Sequence, residues 1–251
     1  MNMKMKQLEN TIEQIIEPVH GRISIALEWE GEEITIHSQE RCEAASLIKI
    51  PILLESFRQH QEGKIDLGKW ISVPSEKRVG GAGVLNYLSA NMKLTLKDLL
   101  TLMIIVSDNT AANLIIDLIG MDSVNRLCEQ LGCHQTSLQR ALFNQYAIKQ
   151  GKNNYTSAHD MLICLRELAH GPLLNSSNRK EIIEIMKAQQ LANKLPNGIL
   201  QYDENDPILA HKTGEVHGVE HDIGIIRYQN QEILLAVLTY DLVDQAEGRK
   251  V

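Results

Sequence analysis

Hydrophobic alternation with a period of two runs through both ends of this 251-residue chain and is replaced by helical spacing between them, which constrains the fold more than any other feature. Near the start, ISIALEWEGEEITIH sets Ile23, Ile25, Leu27 and Trp29 on one face, turns at Glu30-Gly31-Glu32 and resumes with Ile34 and Ile36. Successive strand side chains point to opposite faces, so this reads as an antiparallel hairpin. Near the end, PILAHKTGEV, HDIGIIRY and QEILLAVLTY repeat the pattern between glycine-containing or polar turns. From Ala44 to about Leu200 the spacing is mostly helical. Thr95 and Asp98 form a capping box at TLKDLLTLMIIV, and SAHDMLICLRELAHG stops at Gly171-Pro172. The economical architecture is α+β. One antiparallel sheet is assembled from residues 1–60 and 201–251 with flanking helices, and residues 61–200 form an inserted all-helical domain. Function then belongs in the cleft between the two parts.

The chain is 43% hydrophobic, enough for a sizeable core. Its 25 Lys and Arg against 32 Asp and Glu give a net charge of -7 without a basic stripe, which argues against nucleic acid as a partner. Cys42, Cys128, Cys133 and Cys164 form no CxxC pair and no zinc-finger spacing, so they read as free buried thiols. The nine histidines are scattered and HExxH is absent, so neither a metal nor another cofactor is implied. The first twenty residues place Leu8, Ile12, Ile15, Ile16 and Val19 at helical spacing among charges, without the apolar run of a signal peptide. The expected location is the cytoplasm, or else that of an exported chain whose signal has been removed. No run of about 18 apolar residues is present to span a membrane.

Three short motifs stand out. In ERCEAASLIKIPILLESF, Ser46 and Lys49 sit three apart beside Ile48, Ile50, Ile52 and Leu53 on what must be a buried helix. A buried ammonium is costly unless it is paired or used. A serine hydroxyl needs such a nearby base to become a nucleophile. SxxK alone recurs by chance about once in a few hundred residues, and a second copy, Ser177 to Lys180, lies in the polar run NSSNRKE and reads as a solvated helix start. Ser107-Asp108-Asn109 could simply cap a helix whose apolar face is Leu114, Ile115 and Leu118. Lys212-Thr213-Gly214 could be only a turn at the end of the strand ILAHKTG. Each tripeptide is expected once in about several thousand residues, so the set is hard to attribute to chance.

SxxK, SDN and KTG in this order, with separations of 61 residues (46 to 107) and 105 residues (107 to 212), resemble the signature set of class A β-lactamases and penicillin-binding serine hydrolases. The resemblance covers nearly the whole chain and implies a sheet with an inserted helical domain. It also implies that Ser46 attacks a strained lactam or another acyl carbonyl and that Lys49 takes or relays its proton. Ser107 then passes a proton to the leaving nitrogen, and Asn109 holds the substrate's side-chain amide. Asp108 steadies the loop. Lys212 and Thr213, with Gly214, bind the substrate carboxylate. The backbone N–H groups of Ser46 and Glu215 form the oxyanion hole. Lys49 tolerates its inward position because Ser46, Asn109 and neighbouring acceptors bond it.

The sequence departs from that family at three places. The RxExxLN loop, whose glutamate activates the deacylating water, corresponds to QTSLQRALFNQYAIKQGKNNYTSAHDM, and no carboxylate lies between Glu129 and Asp160. Arg140 and Asn144 keep some of its polar character, but an amide cannot take up a proton as a carboxylate does. Loss of a general base costs about 10² to 10⁴ in rate, so acylation without efficient turnover is expected. Ile223 precedes Gly224 where many class A enzymes carry a carboxylate-binding arginine, and His217, His221 and Arg227 are the candidate substitutes. DLVDQAEGRKV begins what the family continues as a long terminal helix. VGGAGVLNYL and the hairpin after KTG are expected to shape the pocket. The expected function is thus a class A β-lactamase-like serine hydrolase with a small-molecule acyl substrate, a β-lactam or a peptidoglycan-like compound. An esterase, amidase or D-alanyl peptidase of the same superfamily and an inert ligand-binding sensor are the alternatives, and the oligomeric state is open.

Overall fold

The computed structural model describes residues 3–198 and 207–251. The chain begins with α1 (Met3–Ile16), the hairpin β1 (Arg22–Trp29) and β2 (Glu32–Ile36), and the short β3 (Cys42–Glu43). A 3-10 turn at Ala45–Ile48 leads into α2 (Lys49–Gln61). Then follow β4 (Trp70–Val73), β5 (Met92–Thr95), α3 (Leu96–Ile105), α4 (Asn109–Ile119), α5 (Met121–Leu131), α6 (Gln145–Lys149), β6 (Tyr155–Thr156), α7 (Ala158–Ala169) and α8 (Ser176–Lys187). The chain closes with β7 (Ile208–Val216), β8 (Val219–Tyr228), β9 (Gln231–Tyr240) and α9 (Gln245–Gly248).

The two ends make one antiparallel sheet in the order β2-β1-β9-β8-β7, as the alternation requires. β1 joins first and last segments, with Ile25 opposite Val237. Glu30 and Gly31 have φ of 51° and 76°, so the two-residue turn between β1 and β2 matches the right-handed twist of its strands. Leu27 and Ile34 meet Met5, Leu8 and Ile12 of α1 on one face, while α7 crosses β1 and β9 and α8 crosses β7 on the other. Burial of both faces explains why Ile23 to Leu27 are all buried, Ser24 included. Within α1 the deepest anchor is Met5, whereas Ile15 is 49% exposed and Val19 lies beyond the helix end.

α2 runs through the centre of the helices, touching α3, α4, α5, α7 and α8, and nearly every residue along it is buried. The Thr95 hydroxyl accepts from the Asp98 N–H, and the Asp98 carboxylate accepts from the Thr95 N–H, so the capping box is formed at α3. The stretch expected to be all-helical also carries strands: β4 pairs with β5, and β6 pairs with β3 from the segment before it. These strands are two to four residues long, too short for a period of two to register in sequence. The expected domain boundary between residues 200 and 201 lies outside the described residues, and α7 and α8, on its helical side, pack directly on the sheet. Among the described residues no helix is long and apolar enough to cross a membrane.

Candidate active site

Ser46 sits in the 3-10 turn and Lys49 opens α2, so three residues of tight helix bring the amine back to the hydroxyl at 3.1 Å. The turn is seated on β7 and β8. Gly214 of β7 permits that approach, since a Cβ there would stand 3.2 Å from the Leu47 side chain and 3.4 Å from the Ala44 carbonyl. The residue before the serine, Ala45, has φ of 44°, a left-handed conformation that a non-glycine residue holds only when its surroundings enforce it. Ser46 itself is half-buried and reachable, whereas Lys49 is fully buried.

Lys49 Nζ has four oxygen neighbours: Ser46 Oγ at 3.1 Å, the Ser107 carbonyl at 2.6 Å, Ser107 Oγ at 3.0 Å and Asn109 Oδ1 at 2.9 Å. Asn109 Nδ2 donates to the Gly80 carbonyl at 3.1 Å, which fixes Oδ1 as the end facing the amine. The carbonyl and the amide oxygen can only accept. A neutral amine has two hydrogens and one lone pair, so these two acceptors take both hydrogens and leave the lone pair for the hydroxyls. Burial, followed by the charge of Lys212, holds Lys49 well below the usual lysine range, against an opposing pull from Asp108. Geometry and electrostatics therefore agree on an amine able to take a proton.

Ser107 joins α3 to α4 with φ of 55°, a second left-handed non-glycine residue at the site. Asp108 caps α4 by accepting from the Ala111 N–H at 2.9 Å, and its other oxygen accepts from the Val84 and Leu85 N–H groups at 2.7 and 2.8 Å. It thereby fastens the glycine-rich loop of residues 80–84 to the helix start. Gly83, at φ of 114°, is required there because a Cβ would overlap the Asp108 side chain.

Lys212 is also fully buried, and its amine donates to Ser107 Oγ at 3.1 Å and to the Thr213 carbonyl at 2.7 Å. Burial pushes its pKa down to about 7; Asp222 works against this and the charge of Lys194 adds to it. Thr213 is buried on β7 opposite Asp222, and Glu215 is exposed, with its carboxylate turned toward Arg249 and Lys194 at 3.8 Å from each. KTG does not end its strand: β7 continues to Val216, because Glu215 and Val216 still pair with Glu220 and Val219. The structure thus connects Ser46, Lys49, Ser107, Asn109 and Lys212 through a continuous set of contacts.

The loop over residues 130–159 uses its polar groups to hold itself. Arg140 donates to Asn153 Oδ1 and pairs with Glu43 at 3.5 Å, while Asn144 Oδ1 accepts from the Ala147 N–H as the cap of α6. Asn113 of α4 grips both backbone groups of Leu142, at 2.7 and 3.1 Å. Phe143, at φ of 59°, lays its ring against Gly80 and Gly81. Of the three residues considered as arginine substitutes, His221 is committed elsewhere: Nε2 donates to the Glu43 carbonyl at 2.9 Å and Nδ1 accepts from the Thr239 N–H at 3.2 Å. Burial lowers its pKa to about 4, in keeping with a neutral ring that straps β8 to the strand before Ser46. His217 is exposed and Arg227 donates to Glu232.

Two polar features behind the strand carry no motif. His211 pairs with Asp222 at 3.0 Å, and buried Lys194 reaches the carbonyls of Gly214 and His221 at 3.1 and 3.2 Å. The partners of Lys194 lie 20 and 27 residues further along the chain, so no local spacing announces it. Among the described residues no three His, Cys, Asp or Glu side chains cluster to hold a metal ion.

Comparison with known proteins identifies the family and the fold. A β-lactamase of Proteus vulgaris is 25% identical over 259 residues, covering 96% of this chain and 91% of its own length. The β-lactamase CARB-3 of Pseudomonas aeruginosa is 22% identical over 78% of this chain and 69% of its own. Among solved structures, a β-lactamase from Sphaerobacter thermophilus DSM 20745 superposes with a TM-score of 0.90 at 27% identity, covering 98% of this chain and 92% of that one. PBP-A superposes with a TM-score of 0.87 at 25% identity and the same coverage. With a family model described as the beta-lactamase enzyme family matching residues 7–251, the chain belongs to that family.

Proposed function

We propose that the protein is an active-site serine hydrolase of the β-lactamase type that is acylated at Ser46 and releases the acyl group slowly. The observation that carries this reading is the desolvated Lys49 amine with its two hydrogens engaged and its lone pair left for the hydroxyls. Ser46 Oγ attacks the lactam carbonyl as its proton passes to Lys49. The backbone N–H groups of Ser46 and Glu215 hold the oxyanion. Collapse of the tetrahedral intermediate breaks the C–N bond, and the nitrogen takes the Ser107 hydroxyl proton. Lys49, 3.0 Å away, returns a proton to Ser107 and is neutral again. Lys212 in its charged form, with Thr213, receives the substrate carboxylate, and Asn109 receives the side-chain amide.

Slow release follows from the loop. No carboxylate lies between residues 129 and 160, and the Asn144 amide oxygen is used as a helix cap. A lost general base costs about 10² to 10⁴ in rate. Similarity to PBP-A, of which one variant was solved as an acyl-enzyme complex with penicillin-G, supports acylation by a penicillin; a D-alanyl peptidase is the second reading. Intact mass measurement after incubation with penicillin G tests the nucleophile: wild type gains the mass of the drug and Ser46→Ala gains none. A chromogenic cephalosporin tests release. Rapid steady turnover would defeat the slow-release reading, and a D-alanyl ester turned over faster than any β-lactam would establish the peptidase.

A further inference from the structure

We propose that Lys194 is a positioning residue for the oxyanion hole: its ammonium grips the carbonyl of the Gly214–Glu215 peptide group and so orients and strengthens the N–H at the other end. This rests on the reading above that the Glu215 N–H is one of the two oxyanion donors. A peptide group is planar and rigid, so fixing its oxygen fixes the direction of its hydrogen. A cation on the oxygen also draws charge from the nitrogen, and hydrogen bonds in a chain strengthen one another.

The site is built for this. Lys194 is buried just before the turn Leu195–Gly198, and its amine lies 3.1 Å from the Gly214 oxygen and 3.2 Å from the oxygen of His221, which faces Gly214 across the ladder. The third partner is the fully buried carboxylate of Glu220 at 2.7 Å, itself held by Arg249 at 2.8 Å and Gln245 at 3.0 Å. The ammonium donates to the two carbonyls and lies in ion-pair contact with a Glu220 oxygen that has no hydrogen-bond donor of its own. The Leu195 N–H donates to Asp222 at 3.2 Å, which stops the lysine backbone from drifting. A buried charge pair is expensive and often replaceable by apolar groups. Here its charge lies against two peptide oxygens, one of them the Gly214 carbonyl on the strand that carries Lys212 and Thr213.

The test compares wild type with Lys194→Met and with Lys194→Met/Glu220→Gln, which removes the carboxylate the first change leaves short of a partner. Stopped-flow acylation by penicillin G separates the rate from the affinity of the non-covalent complex, and infrared difference spectra read the acyl-enzyme carbonyl. Loss of a whole oxyanion donor costs about 10² to 10³, so a weakened one should slow acylation about tenfold. Measured below pH 7, where Lys212 is charged with or without Lys194, affinity should stay within about twofold, and the carbonyl band should move to higher wavenumber. A purely structural lysine would lower the melting temperature and leave the band in place. If the folded variants acylate at the wild-type rate with an unshifted band, or lose only affinity, the proposal is overturned. Should Lys194→Met fail to fold, Lys194→Gln keeps a donor without the charge, and an unshifted band in that variant is equally fatal. A wild type that gains no mass from penicillin G would instead overturn the acylation reading itself.

Discussion

The chain contains the same four-residue spacing twice, and the two copies meet opposite fates. Ser46 and Lys49 flank Leu47 and Ile48, and the turn they occupy is pressed between β7 and the helices, so the amine is stripped of water and faces fixed oxygens. Ser177 and Lys180 flank Asn178 and Arg179 in the first turns of α8, where both are exposed. Spacing brings a hydroxyl and an amine onto one helical face in either case. Desolvation decides whether the amine is a base, because burial, ahead of the neighbouring Lys212 charge, raises the cost of its charged form.

The largest effect that can break this contrast is at the serines. Ser46→Ala should abolish covalent labelling by penicillin G, while Ser177→Ala should label as wild type, with both read by intact mass. Next, Lys49→Met should slow acylation by about 10² to 10⁴, the usual worth of a positioned base, and Lys180→Met should leave it unchanged. The same variant has a signature in stability. The folded state disfavours the charged Lys49, so the unfolded chain binds the extra proton and wild-type stability rises with pH toward the ordinary lysine range. Lys49→Met should therefore flatten the pH dependence of the melting temperature on the alkaline side.

A smaller effect belongs to Lys212. With its pKa at about 7, the free enzyme loses this cation as pH rises toward the ordinary value of 10.5. Affinity for a carboxylate-bearing β-lactam should weaken above pH about 7 by up to about tenfold per pH unit, and Lys212→Arg should remove that limb. The smallest effect sharpens the contrast from its inert side. Asn175 caps α8 by accepting from the Asn178 N–H at 2.9 Å, so Asn175→Ala should cost about 1 kcal/mol in thermal or denaturant unfolding while acylation is untouched.

Much of this was legible in the sequence because it is local or periodic. The sheet followed from alternation at the two ends, and the contact between Ser46 and Lys49 followed from one turn of helix. The short ladders of β3 to β6 were not legible, since two to four residues carry no period. His221 could be weighed only as a lone histidine on a strand, and its partner Glu43 stands 178 residues away. Lys194 reads like any surface lysine until the strands fold over it. Long-range pairing by single polar atoms leaves no trace in spacing.

Among the described residues β7 forms the margin of the sheet, with β8 as its one neighbouring strand. A bare margin presents unpaired N–H and C=O groups that invite another chain to add on. Here the Ala45–Ile48 turn packs on the face of β7 at Gly214, so the margin that could recruit another strand runs directly beside the nucleophile.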